Sequence, residues 1–485
     1  MKTWRHLSVD TAIITSIVVL LIVVRIISFG YLSSLSASNP SSYPYPVVAG
    51  DSIHYVHLAD NLVTLHAYQF DPGVPYRGAT PGYPVLLAGT QATIGSMTPL
   101  VLVQILFSAL AVVLIYRMAR TLLPARYALV PALIYALDPM VVFTDTTLMT
   151  DSIFNALLIG VVYLAFFVEH RRRVLQWFVI GLLLGIATLI RPIGQFLVLV
   201  FPALYLLRAL MERKSDYGPR LKAACVCVVG FALVVTPWIV RNHTYFDAYE
   251  ISFLGSYDLL TNDVRGYLAW RALARTSDPL PAILVMRHVN DPIFAIVDKE
   301  IAVALTELTP PGEDRSNYEG RLGMRYILND PIRYGYFHGV NTIPFFISSS
   351  IATYGQTVRQ LRDSKDFFAP ASLSLLGNVK EMLHPADARS FMSAAFAIGP
   401  IGLEVLWWVL VTLAAIVAVV LQRKQFIIVF FAVLILYFAA LTGPMSASRY
   451  RIPAEPYLLI LSVVGVHALL NRKAGSPAAS RSSSV

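Results

Sequence analysis

Residues 11–29 read TAIITSIVVLLIVVRIISF, an apolar run whose single charge is Arg25. A helix needs roughly 20 apolar residues to cross a hydrocarbon core of about 30 Å, so the run is long enough to span a membrane. Lys2 and Arg5 precede it, and basic residues collect on the cytoplasmic side. The N-terminus is therefore expected inside and the following stretch outside. A cleaved secretory signal would have a shorter apolar region, and Arg25 lies near the far end, so the run reads as a retained signal-anchor helix.

The composition agrees with that reading. Of 485 residues, 56% are hydrophobic and 14% charged, against about 25% charged in soluble domains. The runs are apolar on every side instead of alternating, which excludes barrel strands. The expected class is an all-α, polytopic integral membrane protein. The net charge of +9 does not imply a nucleic-acid partner, because the basic residues cluster beside apolar runs and there set orientation. Cys225 and Cys227 are too close together for an ordinary disulfide and lack partners for a metal site; both read as small buried packing residues.

Nine further spans follow, at about 99–118, 127–143, 152–168, 175–190, 193–207, 223–240, 401–421, 426–441 and 454–470. The third span of the chain is interrupted near its end by Asp138 and Pro139. Residues 83–94 are too short to cross and are expected in the interface. Ten spans with both termini cytoplasmic place Arg117, Arg120, Arg171, Arg172, Arg173, Arg208, Arg213, Lys214, Arg423 and Lys424 inside. The organisation expected is a transmembrane core over 1–240 that includes a first outer loop at 30–98, an outer (periplasmic) helical subdomain over 241–398, C-terminal transmembrane helices over 399–473, and a disordered Ser-rich tail over 474–485. Within the outer region, 292–308 and 319–328 space apolar residues as helices do, and Asp291 and Asp330 precede prolines at expected helix starts. Residues 331–351 fit either an interfacial helix or an extra span.

The informative charges are those that break the orientation pattern. Arg25, Arg77, Arg191, Arg241, Arg449 and Arg451 fall at the outer ends of spans or just beyond, joined by Asp51, Asp145 and Asp151. Singly, each arginine could snorkel to a headgroup; six on one face with carboxylates favour a shared site. Asp51 could simply cap a helix running from Ser52 to about His66, and a helix start is also a place to fix a catalytic carboxylate. Arginines match phosphate oxygens with paired donors, and a facing carboxylate can take a proton from an acceptor hydroxyl. A transporter would place its ionisable groups nearer mid-membrane.

Several motifs on that face resemble a known family. GDSIHYVHLADNL (50–62), PYRGATPGYPVLLAG (75–89), LDPMVVFTDTTLMTDSIFNALL (137–158), LIRPIG (189–194), TPWIVRN (236–242) and SRYRIPAEPYLLIL (448–461) are similar, in order and placement, to motifs of the polytopic GT-C glycosyltransferases of the bacterial protein mannosyltransferase and aminoarabinose transferase type. The resemblance implies an inverting glycosyltransferase. Its donor would be a polyprenyl-phosphate sugar, its acceptor a glycan, lipid or protein, and its surroundings the lipids of the cytoplasmic membrane, with the active site on the outer face. It implies Asp51 as the group that activates the acceptor hydroxyl and Asp151 as a second acidic catalytic position. Arg77, Arg191, Arg241, Arg449 and Arg451 become donor-phosphate ligands. His54, Tyr55, Asp145 and Arg25 are supporting candidates. Many members carry a second acidic residue directly after the first; here it is Ser52, which leaves any metal role of the pair open. The sequence identifies no cofactor, and it leaves a divalent metal open without indicating one. A transporter or flippase of lipid-linked saccharides is the alternative.

Overall fold

A computed structural model describes residues 2–37, 51–168, 172–211, 217–275, 282–286, 291–363 and 388–474. Arg171, Arg213, Lys214 and the tail beyond residue 474 lie outside the described residues. The chain is an all-α, polytopic membrane protein. Its first half runs through α1 (Lys2–Ala37), α2 (Ser52–Thr64), α3 (Gly82–Ile94), α4 (Pro99–Arg120), α5 (Ala125–Leu137), α6 (Pro139–Thr146), α7 (Asp151–Phe166), α8 (Arg173–Ile190), α9 (Leu197–Met211) and α10 (Tyr217–Phe246). A second helical group follows: α11 (Leu254–Asp258), α12 (Arg265–Leu273), α13 (Ala282–Val285), α14 (Pro292–Leu308), α15 (Glu319–Asn329), α16 (Pro331–Ile347) and α17 (Ser350–Asp363). The last elements are α18 (Ala388–Gln422), α19 (Phe426–Thr442), α20 (Ser448–Arg451) and α21 (Glu455–Ala474).

Among the described residues, seven helices are long and apolar enough to cross a membrane, or eight if α5 and α6 form one bent span. The other two expected spans fall on α7, which has 16 residues, and α21, which has 20. Large apolar side chains such as Ile27, Leu106, Leu199, Leu233 and Leu403 stand more than half exposed along the spans, a surface that hydrocarbon accommodates and water would not. α1 runs past Phe29 to Ala37, so the expected first loop begins as helix. The 53° bend between α5 and α6 has a local cause. Pro139 has no N–H to donate and holds Asp138 in an extended conformation, and the Asp138 carboxylate then accepts from the Met140 and Val141 amides at 2.7 and 3.2 Å.

Three sequence readings need correction. Cys227 is buried, but Cys225 is exposed. Two residues turn a helix by about 200°, so when Cys227 faces α8, Cys225 faces away from it. The Asp51 side chain makes no capping bond to α2; its carboxylate is drawn off by an arginine described below. Asp291 does cap α14, accepting from the Ile293 amide at 2.9 Å. Asp330 does not cap α16 and instead accepts from the Tyr267 hydroxyl at 2.8 Å. The 331–351 stretch is not one continuous helix: α16 ends at Ile347, Ser348 is extended, and α17 starts afresh at Ser350.

Apolar packing falls into two clusters. One fills the space between the spans, from Ile17 to Val464. The other lies between Leu260 and Phe337, built from Val264, Tyr267, Phe294, Val297 and Leu322 among others. Within the first, α8 and α10 approach most closely through Gly181, Gly185 and Gly230. A Cβ on Gly181 would run into the Cys227 carbonyl oxygen, and one on Gly185 would lie 2.7 Å from the Val234 Cβ. Gly181 and Gly185 are four apart, the small-residue spacing that lets helix backbones meet inside a bilayer. Replacing Gly181 by Val should therefore separate the pair at a cost of about 1–3 kcal/mol, lowering the thermal midpoint of detergent-solubilised protein by several degrees. Gly89→Ala, where a Cβ meets nothing within 4 Å, should not lower it. A midpoint unchanged by Gly181→Val would contradict this packing.

Candidate functional site

The break in each of four chain segments delivers one charged side chain to the same place. Asp51 stands immediately before α2, with its carbonyl accepting from the His54 and Tyr55 amides. Asp151 opens α7, where a carboxylate suits the positive end of the helix. Arg191 follows α8 and is extended because Pro192 comes next. Arg449 lies in α20, beyond the turn at Gly443, whose φ is +40° and where a Cβ would strike the His338 ring.

These four form a continuous chain of ion pairs. Arg449 donates from Nη1 to Asp51 Oδ2 at 2.7 Å. It also donates from Nε and Nη2 to Asp151 Oδ2 at 3.2 and 3.0 Å. Arg191 Nη1 donates to the other oxygen of Asp151. Asp151 is fully buried and the two arginines nearly so, whereas the Asp51 side chain is 53% exposed. The chain therefore has a closed end at Asp151 and an open end at Asp51. Its formal charge is zero, which is how four ionised groups can sit together at low solvent exposure. The Arg449 guanidinium holds the Asp51 carboxyl below its ordinary range. Tyr450 flanks the cluster, with Arg191 over its ring at 5.8 Å.

The other arginines read as site residues are elsewhere. Arg77 is buried between Glu250, at 2.9 Å, and Asp314, at 3.4 Å, donates to Ser316, and stacks on Phe246 and Phe253. Arg241 donates to the carbonyls of Tyr76 and Tyr68 at 2.7 and 3.1 Å. Together they fasten the 68–77 turn to α10 and to the segments that follow it. Arg25 pairs with Asp145 at 2.8 Å and donates to the Ala136 carbonyl at 2.6 Å, one of the carbonyls that the end of α5 leaves without a helical partner. Arg451 has no exposed surface; it stacks 3.6 Å from the Trp408 ring centroid, donates to the Ser348 carbonyl and faces Glu455. His54 packs on Phe70, and Tyr55 packs edge-on against Tyr83 beside the cluster.

Several residues outside the sequence reading belong to this architecture. Glu404 accepts from the Ser350 and Ile351 amides at 2.7 and 3.0 Å and so caps α17, while Asp138 accepts from the Ser350 hydroxyl at 2.9 Å. Glu404 and Glu455 are charges inside apolar runs, the same signal that singled out Arg25. Asp258 and Asp263 flank and occupy a π-helical segment, Leu259–Val264, where burial pushes their carboxyls up to about 6 and about 8. Asp51 adds to the shift at Asp258. Among the described residues no group of three or more His, Cys, Asp or Glu side chains could hold a metal ion.

The two aspartates should differ in what they contribute to stability. Asp151→Asn leaves two poorly solvated guanidiniums short of a counter-charge, a loss of roughly 3–5 kcal/mol, while exposed Asp51 gives a small change on substitution. Because Arg449 lowers the folded-state pKa of Asp51, that contribution is present above the unfolded value near 3.9 and disappears as pH falls through the folded value. Thermal midpoints measured from pH 3 to pH 7 should be markedly lower for Asp151→Asn throughout. They should be nearly unchanged at pH 7 for Asp51→Asn, with a shallower acid decline than wild type. Equal losses for both variants at pH 7 would contradict the assignment of open and closed ends.

The family model described as dolichyl-phosphate-mannose-protein mannosyltransferase matches residues 80–240. Among solved structures, the chain is similar to ArnT from Cupriavidus metallidurans bound to undecaprenyl phosphate, with 16% identity and a TM-score of 0.38, covering 94% of this chain and 79% of that one. It is also similar to the archaeal oligosaccharyltransferase AglB from Archaeoglobus fulgidus, in complex with an inhibitory peptide and a dolichol-phosphate. There the identity is 11% and the TM-score 0.46, with 95% of this chain and 50% of that one covered. No curated protein sequence matches the chain. That family model matches residues 80–240, about a third of the chain, and this match bears out the resemblance to the polytopic GT-C glycosyltransferases.

Proposed function

We propose that this protein is an inverting glycosyltransferase that moves a sugar from a polyprenyl-phosphate donor to an acceptor hydroxyl of a glycan, lipid or protein. Its active site is the charge chain, at the outer face of the cytoplasmic membrane, with both termini inside. The observation that carries the reading is Arg449 bonded at once to an exposed and a buried aspartate. One guanidinium thereby links a group able to take a proton to a place able to hold a phosphate.

In the reaction the acceptor oxygen attacks the anomeric carbon as its O–H proton passes to Asp51. The bond between that carbon and the phosphate oxygen breaks, and the lipid phosphate leaves with the electron pair. Arg449 and Arg191 offer paired N–H donors to the oxygens on which this charge develops. Asp151 stays ionised and orients both arginines without touching the reacting atoms. While Arg449 is bonded to Asp51, the carboxylate is a weak base. A phosphate that draws donors of Arg449 away restores its basicity, so donor binding arms the base and premature deprotonation is suppressed. In this scheme Arg77 and Arg241 secure the outer subdomain, residues 241–398, over the site instead of binding the phosphate, and Arg25, Asp145 and Arg451 support the spans.

The test supplies radiolabelled polyprenyl-phosphate sugars and an extract of cell-envelope acceptors to membranes carrying wild type, Asp51→Asn or Arg77→Lys, matched for folded protein. Transfer should fall roughly 10²–10⁴-fold with Asp51→Asn and only modestly with Arg77→Lys, and the product should carry the anomeric configuration opposite to the donor. Equal transfer by wild type and Asp51→Asn would remove Asp51 as the base. Binding and translocation of the donor with no change of linkage would favour the flippase.

A further inference from the structure

The helical stretch from Leu254 to Leu273 changes pitch in its middle, where Leu259–Val264 is π-helical between α11 and α12. Such turns are rare and gather at functional sites. This one lies against the Gly443–Met445 turn that leads towards α20 and Arg449. Asp258, which precedes it, is within electrostatic reach of Asp51 and of Tyr450. Thr261 and Asn262 of the same turn line an open cleft of about 470 Å³, bordered also by α14 and α15. Asn262 Nδ2 donates to Asp258 Oδ1 at 3.0 Å, so one side chain joins the wall of the cleft to a residue that feels Asp51.

The lining of the cleft mixes apolar and polar groups. Tyr257 contributes a ring that is 41% exposed. Arg265 donates from Nη2 to Asp298 Oδ2 at 2.8 Å, and Arg315 from Nη2 to the Ala302 carbonyl at 2.8 Å, so both guanidiniums are held in place where they border the cleft. With Asp298 and Glu319 they give the described lining a formal charge of zero, which favours neither a phosphate nor a polycation. Donors and acceptors instead stand side by side, next to an aromatic face. A saccharide has the matching pattern: hydroxyls that both donate and accept, on a ring whose C–H face is apolar. An extended peptide would need a free sheet edge and a helical one an apolar stripe; helices that present charged and hydroxyl groups offer neither. The volume falls within the ordinary range of small-ligand sites.

We propose that this cleft binds an uncharged stretch of glycan and so presents an acceptor hydroxyl to Asp51. The acceptor role rests on the glycosyltransferase reading; the binding of a neutral glycan does not. Full-length protein in uncharged detergent would be applied to an array of immobilised neutral, anionic and cationic oligosaccharides and of peptides. At least one neutral oligosaccharide should retain it. Tyr257→Ala removes the exposed ring and Thr261→Trp fills the cleft, and each should weaken that retention about ten-fold. With the retained glycan as acceptor and a polyprenyl-phosphate sugar as donor, Tyr257→Ala should raise the acceptor KM about ten-fold and leave kcat within about two-fold, because binding shared by ground and transition states acts on KM alone.

If Thr261→Trp does not fold, the surface substitution Tyr257→Ala decides alone. No neutral glycan retained, retention by peptides or charged glycans only, or variants retained as well as wild type would each overturn the proposal. An active Tyr257→Ala enzyme with an unchanged acceptor KM would overturn the acceptor role while the glycosyltransferase reading stood. Retention that the variants weaken, with no transfer to that glycan, would support the binding site and remove the reading on which its acceptor role rests.

Discussion

Charge neutrality at low solvent exposure is the constraint from which the rest of this structure follows. Asp151 has no exposed surface and lies against two guanidiniums, and the second of these, Arg449, also reaches the more exposed Asp51. Removing charged groups from water costs several kcal/mol each unless partners and hydrogen bonds replace the solvent. The four residues come from segments as far apart in sequence as 51 and 449. Their pairing therefore holds α2, α7, α8 and α20 together at one end of the spans. The same rule operates at Arg25 with Asp145, and at Arg451 with Glu455, so that each buried arginine of the set has a carboxylate beside it.

The breaks in the helices put these groups where they are. Pro139, Pro192 and Gly443 each end or bend a helix, and a charged side chain stands at or near each break. An interrupted helix also exposes backbone groups that need partners. Arg25 takes the Ala136 carbonyl at the end of α5 and Glu404 takes the amides that open α17. Charge placement and helix interruption are thus one device, repeated at several points around the bundle.

Much of this was legible in the sequence because it depends on local chemistry. Apolar runs near 20 residues long locate the spans, prolines mark the bend at Asp138 and the turn at Arg191, and out-of-place charges mark Asp51, Asp151, Arg191 and Arg449. What was not legible is which charge meets which. Arg77, Arg241 and Arg451 share with Arg449 the residue type and the expected placement at or just beyond the outer ends of spans, yet their partners are Glu250, two backbone carbonyls and Glu455. Those pairings depend on how distant helices pack, which span-by-span reading does not contain. Asp51 illustrates the limit: its position before α2 predicts a cap, and only the approach of Arg449 from the far end of the chain overrides it. The Gly181–Gly185 spacing is visible in the sequence, but a small-residue pair inside an apolar run does not say which helix it meets.

The central claim is that the lipid phosphate leaves against Arg449 and Arg191 with Asp51 facing it. The most direct measurement is a single-particle cryo-electron microscopy structure of the protein in a lipid nanodisc with a polyprenyl phosphate. The account predicts phosphate density within hydrogen-bond reach of the Arg449 or Arg191 guanidinium, with the bond between Arg449 and Asp51 lengthened or broken. Phosphate held by Arg77 or Arg241, with the chain from Asp51 to Arg191 intact, would contradict it.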